Sequence, residues 1–261
     1  MFAYSNLKSL TLPPNLISID DGGLCGCFKL TEIKSYSVYF DVFEGVLYSD
    51  NYQTLVKYPQ SCNRSILPSV TKFSNGGCFA GTNITEFYCP KSIGQFGSRS
   101  FHRCPLLKII DLSEATATKI ETEMFYGCSN LETLILPSTT QSIEYRILGE
   151  VNLIRLILPP SVRLLSQSFE SSEIDIIEYC GSYFLNESLP ILPALFVSDN
   201  YRFDTFMGRT DFTKSLTNCL PERTPLPTAY YSTKCYQSCR FNLFSHFQNL
   251  MLFSISPVIL M

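Results

Sequence analysis

Two histidines stand among 261 residues, and that scarcity narrows the chemistry at once. Hydrolysis by a Ser–His or Cys–His pair needs an imidazole beside a nucleophile, and His102 and His246 offer little material for it. Charge is sparse too: 16% of residues, 20 Lys+Arg against 23 Asp+Glu, with no basic run and no acidic tail. Phosphate backbones are held by clustered positive side chains, so nucleic acid is not an expected partner. The opening "FAYSNLKSLTLPP" has neither the charged segment nor the apolar run of a secretory leader, and none is expected there. What the chain does have is apolar material, 45% of it, ample for a packed core.

That material is periodic. A pattern L-x-x-L-x-L-P recurs at Leu7-Leu10-Leu12-Pro13, Ile84-Phe87-Cys89-Pro90, Leu107-Ile110-Leu112, Leu131-Leu134-Leu136-Pro137, Leu153-Leu156-Leu158-Pro159 and Ile174-Ile177-Tyr179. Leu30-Ile33 is a partial copy and Leu192-Leu195-Val197 a weaker eighth. Successive first positions lie 21 to 24 residues apart, within the leucine-rich range. Further columns keep step: Ile120 then Phe125, Ile143 then Leu148, Leu164 then Phe169, and beyond them Cys27, Cys104 and Cys128. One gap, Leu30 to Ile84, is too long by an insertion at residues 34–65, where the runs Val42 to Tyr48 and Tyr52 to Tyr58 flank Ser49-Asp50-Asn51 and predict a β-hairpin.

A single unit of this kind cannot bury its own leucines. Stacked in parallel, the units form one continuous leucine core, leaving the x positions on an exposed sheet face, with proline ending each strand because it has no N–H to donate. The expected fold is a β-rich leucine-rich repeat solenoid of seven or eight units over residues 1–200, with a parallel sheet face and one inserted hairpin. A cap or poorly ordered tail is expected over 201–261. Leu134 should lie beside both Ile110 and Leu156.

The stretches "LPPNLISIDDGGLCGC", "SFHRCPLLKIIDLS" and "MFYGCSNLETLILPSTTQSI", with the inserted "FEGVLYSDNYQTLVKYP", resemble the BspA-type leucine-rich repeats over about residues 2 to 200. The resemblance implies a surface protein of a bacterium or mucosal protist parasite, implicated in adhesion to host proteins and cells. It departs from the pattern at "YRILGEVNL", where "MFYGCSNL" is expected.

Chemistry finds few footholds. The column cysteines read as buried thiols acting as small hydrophobes. Cys25-x-Cys27 and Cys235-x3-Cys239 have ligand-like spacing but lack the further ligands zinc requires, so neither a metal nor a cofactor is expected. A disulfide among Cys219, Cys235 and Cys239 is plausible in an exported chain. Asp20-Asp21-Gly22-Gly23 reads as a turn, without the spaced oxygens of a calcium loop. Asn63-Arg64-Ser65, Asn83-Ile84-Thr85 and Asn186-Glu187-Ser188 are glycan acceptors if the chain is exported. Residues 241–261 are uncharged and just long enough to span a bilayer, although Asn242, His246, Gln248 and Asn249 weaken that reading.

Function is therefore expected on the x positions. Ile109, Ile135, Ile154, Ile157 and Ile176 should form an apolar patch rimmed by Lys108, Glu132, Arg155 and Asp175, a site for a host or extracellular protein. The alternatives are a truncated, non-functional copy of such a gene and an enzyme using the solenoid as a platform. Phe2 to Leu7 match Phe125 to Leu131 with one residue missing, so the sequence opens inside a repeat. An open end exposes leucine columns, which predicts truncation of a longer protein or end-to-end pairing with another chain.

Overall fold

The computed structural model describes residues 2–20, 22–60, 66–187, 189 and 192–216. Its strands are β1 (Ser9–Leu12), β2 (Glu32–Ser35), β3 (Phe40–Phe43), β4 (Val46–Ser49), β5 (Thr54–Lys57), β6 (Lys72–Phe73), β7 (Glu86–Tyr88) and β8 (Ile109–Asp111). They continue as β9 (Lys119–Ile120), β10 (Thr133–Ile135), β11 (Ser142–Ile143), β12 (Asn152–Leu158), β13 (Leu164–Leu165), β14 (Glu173–Tyr179), β15 (Ala194–Ser198) and β16 (Thr213–Leu216). Together they build a β-solenoid of about nine turns with parallel sheets.

The middle residue of each L-x-x-L-x-L copy sets the register. Leu10 pairs with Ile33, Phe87 with Ile110 and Ile110 with Leu134, and further on Leu156 pairs with Ile177 and Ile177 with Leu195. These side chains are buried because alternate residues of a strand point to one face. A second wall, β9–β11–β13, runs down the other side of the coils and buries Ile120, Ile143 and Leu165. Between the walls the aromatic column stacks: Phe79 on Phe101 with ring centroids 4.9 Å apart, Phe101 on Phe125 at 5.9 Å.

Each coil turns through left-handed backbone. Gly77 takes φ +83° at this corner, but Arg99, Glu123, Arg146 and Gln167 take it in later coils at φ between 51° and 59°. A side chain there costs roughly 1–2 kcal/mol, offset where these half-buried chains pair, as Arg99 does with Glu123 at 2.6 Å.

Three expectations need correction. The first concerns the insertion, which is a three-stranded meander: Glu44-Gly45, with φ 49° and 85°, makes a two-residue turn between β3 and β4 inside the run taken as one strand. Strand β5 then joins the solenoid by pairing in parallel with β6. Lys57 on β5 is buried, and its ammonium donates to the carbonyls of Gly77 (3.0 Å) and Ala80 (3.3 Å) in the next coil, where burial pushes its pKa down.

The second correction is that the core is divided. Leu10, Leu12, Leu24, Cys27, Leu30, Ile33, Phe40 and Leu47 form an N-terminal cluster, while Val46 and Tyr48 face the larger one. Strand β4 stands between them, alternating sides along its length. Leu10 and Leu12, of the first copy, are buried in this smaller cluster.

The third concerns the sheet face. Among the described residues no ladder joins β10 to β12, although the strands touch, so Leu134 pairs with Ile110 but not with Leu156. The break falls where the coil is one residue short: Val151-Asn152-Leu153 stand in place of Cys128-Ser129-Asn130-Leu131. Val151 fills the cysteine position and is buried.

The ladder continues past residue 200, since β16 pairs in parallel with β15, and Tyr201, Phe206 and Met207 belong to the main core. Cys180 is disulfide-bonded. Cys219, Cys235, Cys239 and the stretch 241–261 lie outside the described residues, within which no helix is long and apolar enough to cross a membrane.

Candidate protein-binding face

The x positions form three columns along the strand face. The outermost holds Thr85, Lys108, Glu132, Ile154 and Asp175; Lys108 and Glu132 pair at 3.0 Å, and both stand in solvent. Ile154 is 70% exposed, beside Asp175 in the β12–β14 register. The next column runs Glu86, Ile109, Thr133 and, beyond the break in the ladder, Arg155, Ile176 and Ala194. Ile109 and Ile176 are half-buried there. In the third column Tyr88, Asp111 and Ile135 are paired, followed by Ile157, Glu178 and Phe196.

Ile135 departs from expectation: it is 5% exposed. Strand β10 is only three residues long and is walled by β8 on one side and β12 on the other, so a branched side chain there is covered. The apolar patch that remains is Ile154, Ile157 and Ile176, with Ile109 farther along. Arg155 crosses it to reach Glu178, Nη2 to Oε2 at 2.7 Å. Pairs of this kind at the edge of a surface stabilise little but fix charge pattern.

Three further residues of this face lie outside the patch expected from the sequence. The Tyr88 hydroxyl donates to Glu86 at 3.2 Å. Asp111 is buried, turned to accept the Ser113 N–H at 2.8 Å. Phe196 extends the third column, and the weak eighth repeat copy was the signal that could have named it. The glycan-acceptor residues Asn83 and Asn186 are exposed, and Asn63 lies outside the described residues.

Away from this face several titratable groups are buried. Burial pulls the His102 imidazole down to about 4, its ring stacked on Tyr126 at 5.2 Å. Burial also pushes the Cys78 thiol up to about 12. Cys25, Cys27, Cys78, Cys89, Cys104 and Cys128 are all free and buried. Asp20 stands at a turn, its carbonyl accepting the Gly23 N–H at 2.7 Å.

Parallel coils, a leucine ladder and an exposed strand face define a leucine-rich repeat solenoid. The family model for the BspA-type leucine-rich repeat region matches residues 1–65 and 57–176, with six copies, and the chain belongs to that family. Among solved structures it is similar to a leucine rich cell surface protein from Faecalibacterium prausnitzii A2-165, 23% identical with a TM-score of 0.56, covering 68% of this chain and 49% of that one. It is also similar to the pneumococcal vaccine antigen PcpA, 20% identical with a TM-score of 0.49, covering 76% of this chain and 46% of that one. The chain thus spans about half the length of these two proteins. No curated protein matches it.

Proposed function

We propose that this chain is a protein-binding module, adhesin-like and working at a cell surface, whose ligand is a host or extracellular protein gripped by the strand face. The observation that carries this reading is the exposure of Ile154 with the half-buried Ile157 and Ile176, crossed by the Arg155–Glu178 pair. An apolar centre with a charged margin is the usual anatomy of a protein-binding patch. The surface setting rests on what the family resemblance implies, and exposed Asn83 and Asn186 are compatible with it.

The test is binding of the labelled, purified protein to intact epithelial cells before and after their surface proteins are shaved with protease. Saturable binding lost on shaving supports a protein ligand. Binding that survives shaving but not removal of surface glycans contradicts it.

A further inference from the structure

The start of the stack presents a second group of exposed apolar side chains, separate from the strand face, beside a polar hollow. Segment 17–20, residues 38–41 at the entry to β3, the meander tip 49–51 and residues 74–76 of the next coil wall a hollow of about 390 Å³. At its mouth stand Ile17, 67% exposed, Val38, 86%, and Tyr39, 52%. Their loop is held in place. The Ser37 hydroxyl donates to the Leu16 carbonyl at 2.6 Å and accepts the Tyr39 N–H at 3.1 Å, while the Tyr36 N–H donates to the Leu12 carbonyl at 3.0 Å. Phe40, one residue on, is buried in the N-terminal core, and alternation therefore turns Tyr39 outward. Apolar side chains held in water by a fixed backbone mark a partner site, because little ordering cost remains for binding.

Charge narrows the partner. The walls carry Asp20, Asp41 and Asp50 and no lysine or arginine. Asp41 accepts a hydrogen bond from the Tyr52 hydroxyl, and burial holds its carboxyl above the usual range. Asp50 accepts from the Thr54 hydroxyl at 2.6 Å and faces Lys72 at 3.7 Å, the lysine lining a neighbouring hollow instead. The geometry points to a docking surface for a protein segment in which arginine or lysine follows an aliphatic residue: the aliphatic group lies against Ile17, Val38 and Tyr39, and the cation meets the exposed Asp20 carboxylate. A neutral sugar also suits tyrosine and carboxylates but leaves the charge of Asp20 without a counterpart.

The test uses the full chain labelled with ¹⁵N and three probes: N-acetyl-leucyl-arginine amide, N-acetyl-leucyl-glutamate amide and lactose. The arginine peptide is expected to shift the amide signals of residues 37–41 and to bind about tenfold more tightly than the glutamate peptide. Val38→Ser and Asp20→Asn, both on the surface, should each weaken it severalfold. Equal responses to the two peptides, a response to lactose alone, no response to any probe at millimolar concentration, or arginine-peptide binding that survives both substitutions would each overturn the proposal.

Discussion

The thiol of Cys128 donates to the carbonyl of Phe101, 3.0 Å away in the preceding coil. The bond repeats one coil earlier, from Cys104 to Phe79 at 3.1 Å, and at the start of the stack, from Cys27 to Phe2 at 3.0 Å. Cysteine at this column is thus more than a small hydrophobe, since it also satisfies a carbonyl turned inward by the corner. Where Val151 replaces it, no such donor exists. At Ser172 the hydroxyl bonds its own coil's Phe169 carbonyl at 2.6 Å.

Cys128→Ala should therefore cost about 1–3 kcal/mol, the penalty for taking a partner from a buried polar group. Cys128→Ser should cost less. Urea unfolding of the three proteins checks this, and equal midpoints for wild type and the alanine variant would mean that the bond contributes nothing.

His102 makes stability pH-dependent in one direction. Its folded pKa of about 4 lies below the ordinary 6.5, so the native state holds fewer protons than the unfolded chain. The contribution is complete above pH 6.5 and is lost as pH falls toward 4, by roughly 2–3 kcal/mol. His102→Phe should flatten the urea-midpoint profile across that window. An unchanged slope would show that the imidazole is freely hydrated.

Glu187 acts with the opposite sign. Its Oε1 accepts the N–H groups of Ser168 (2.7 Å) and Phe169 (3.4 Å). In earlier coils the matching N–H bonds to the next coil, as from Phe101 to Met124 and from Phe125 to Ile147. The carboxylate stands in for a missing turn, and burial raises its pKa above 4.5. Stability from this group is complete below pH 4.5 and declines as pH rises through the raised value. Glu187→Gln should melt higher than wild type at pH 8 and no higher at pH 4. A variant less stable at pH 8 would mean that the ionised form is the favoured one.

The repeat was legible because leucine spacing is a direct image of burial: Leu10, Ile110, Leu134, Leu156 and Ile177 all lie where the period put them. What escaped depended on local geometry. Glu44-Gly45 makes a turn because both residues take positive φ, and glutamate does not advertise that. The missing residue before Leu153 parts β10 from β12, a break that a pattern of leucines does not report. The site was only partly legible, since alternation names the residues that leave the core side but not how far their neighbours cover them; Ile135, in the third column, is covered, whereas Ile154, in the outermost, stands in solvent.

That contrast can be measured. Ile154→Asp should leave the thermal midpoint nearly unchanged, while Ile135→Asp, placing a carboxylate in a covered site, should destabilise the chain by several kcal/mol, of the order of about 2–4. Similar midpoints for the two variants would mean that Ile135 is open to water.

The most direct test of the account is equilibrium binding of the double variant Ile154→Asp, Ile157→Asp to intact epithelial cells, beside wild type and with both midpoints measured. The account predicts at least about a tenfold loss of affinity, roughly 1.4 kcal/mol, with the fold intact. Wild-type affinity in a folded double variant would contradict it and move the binding site off the strand face.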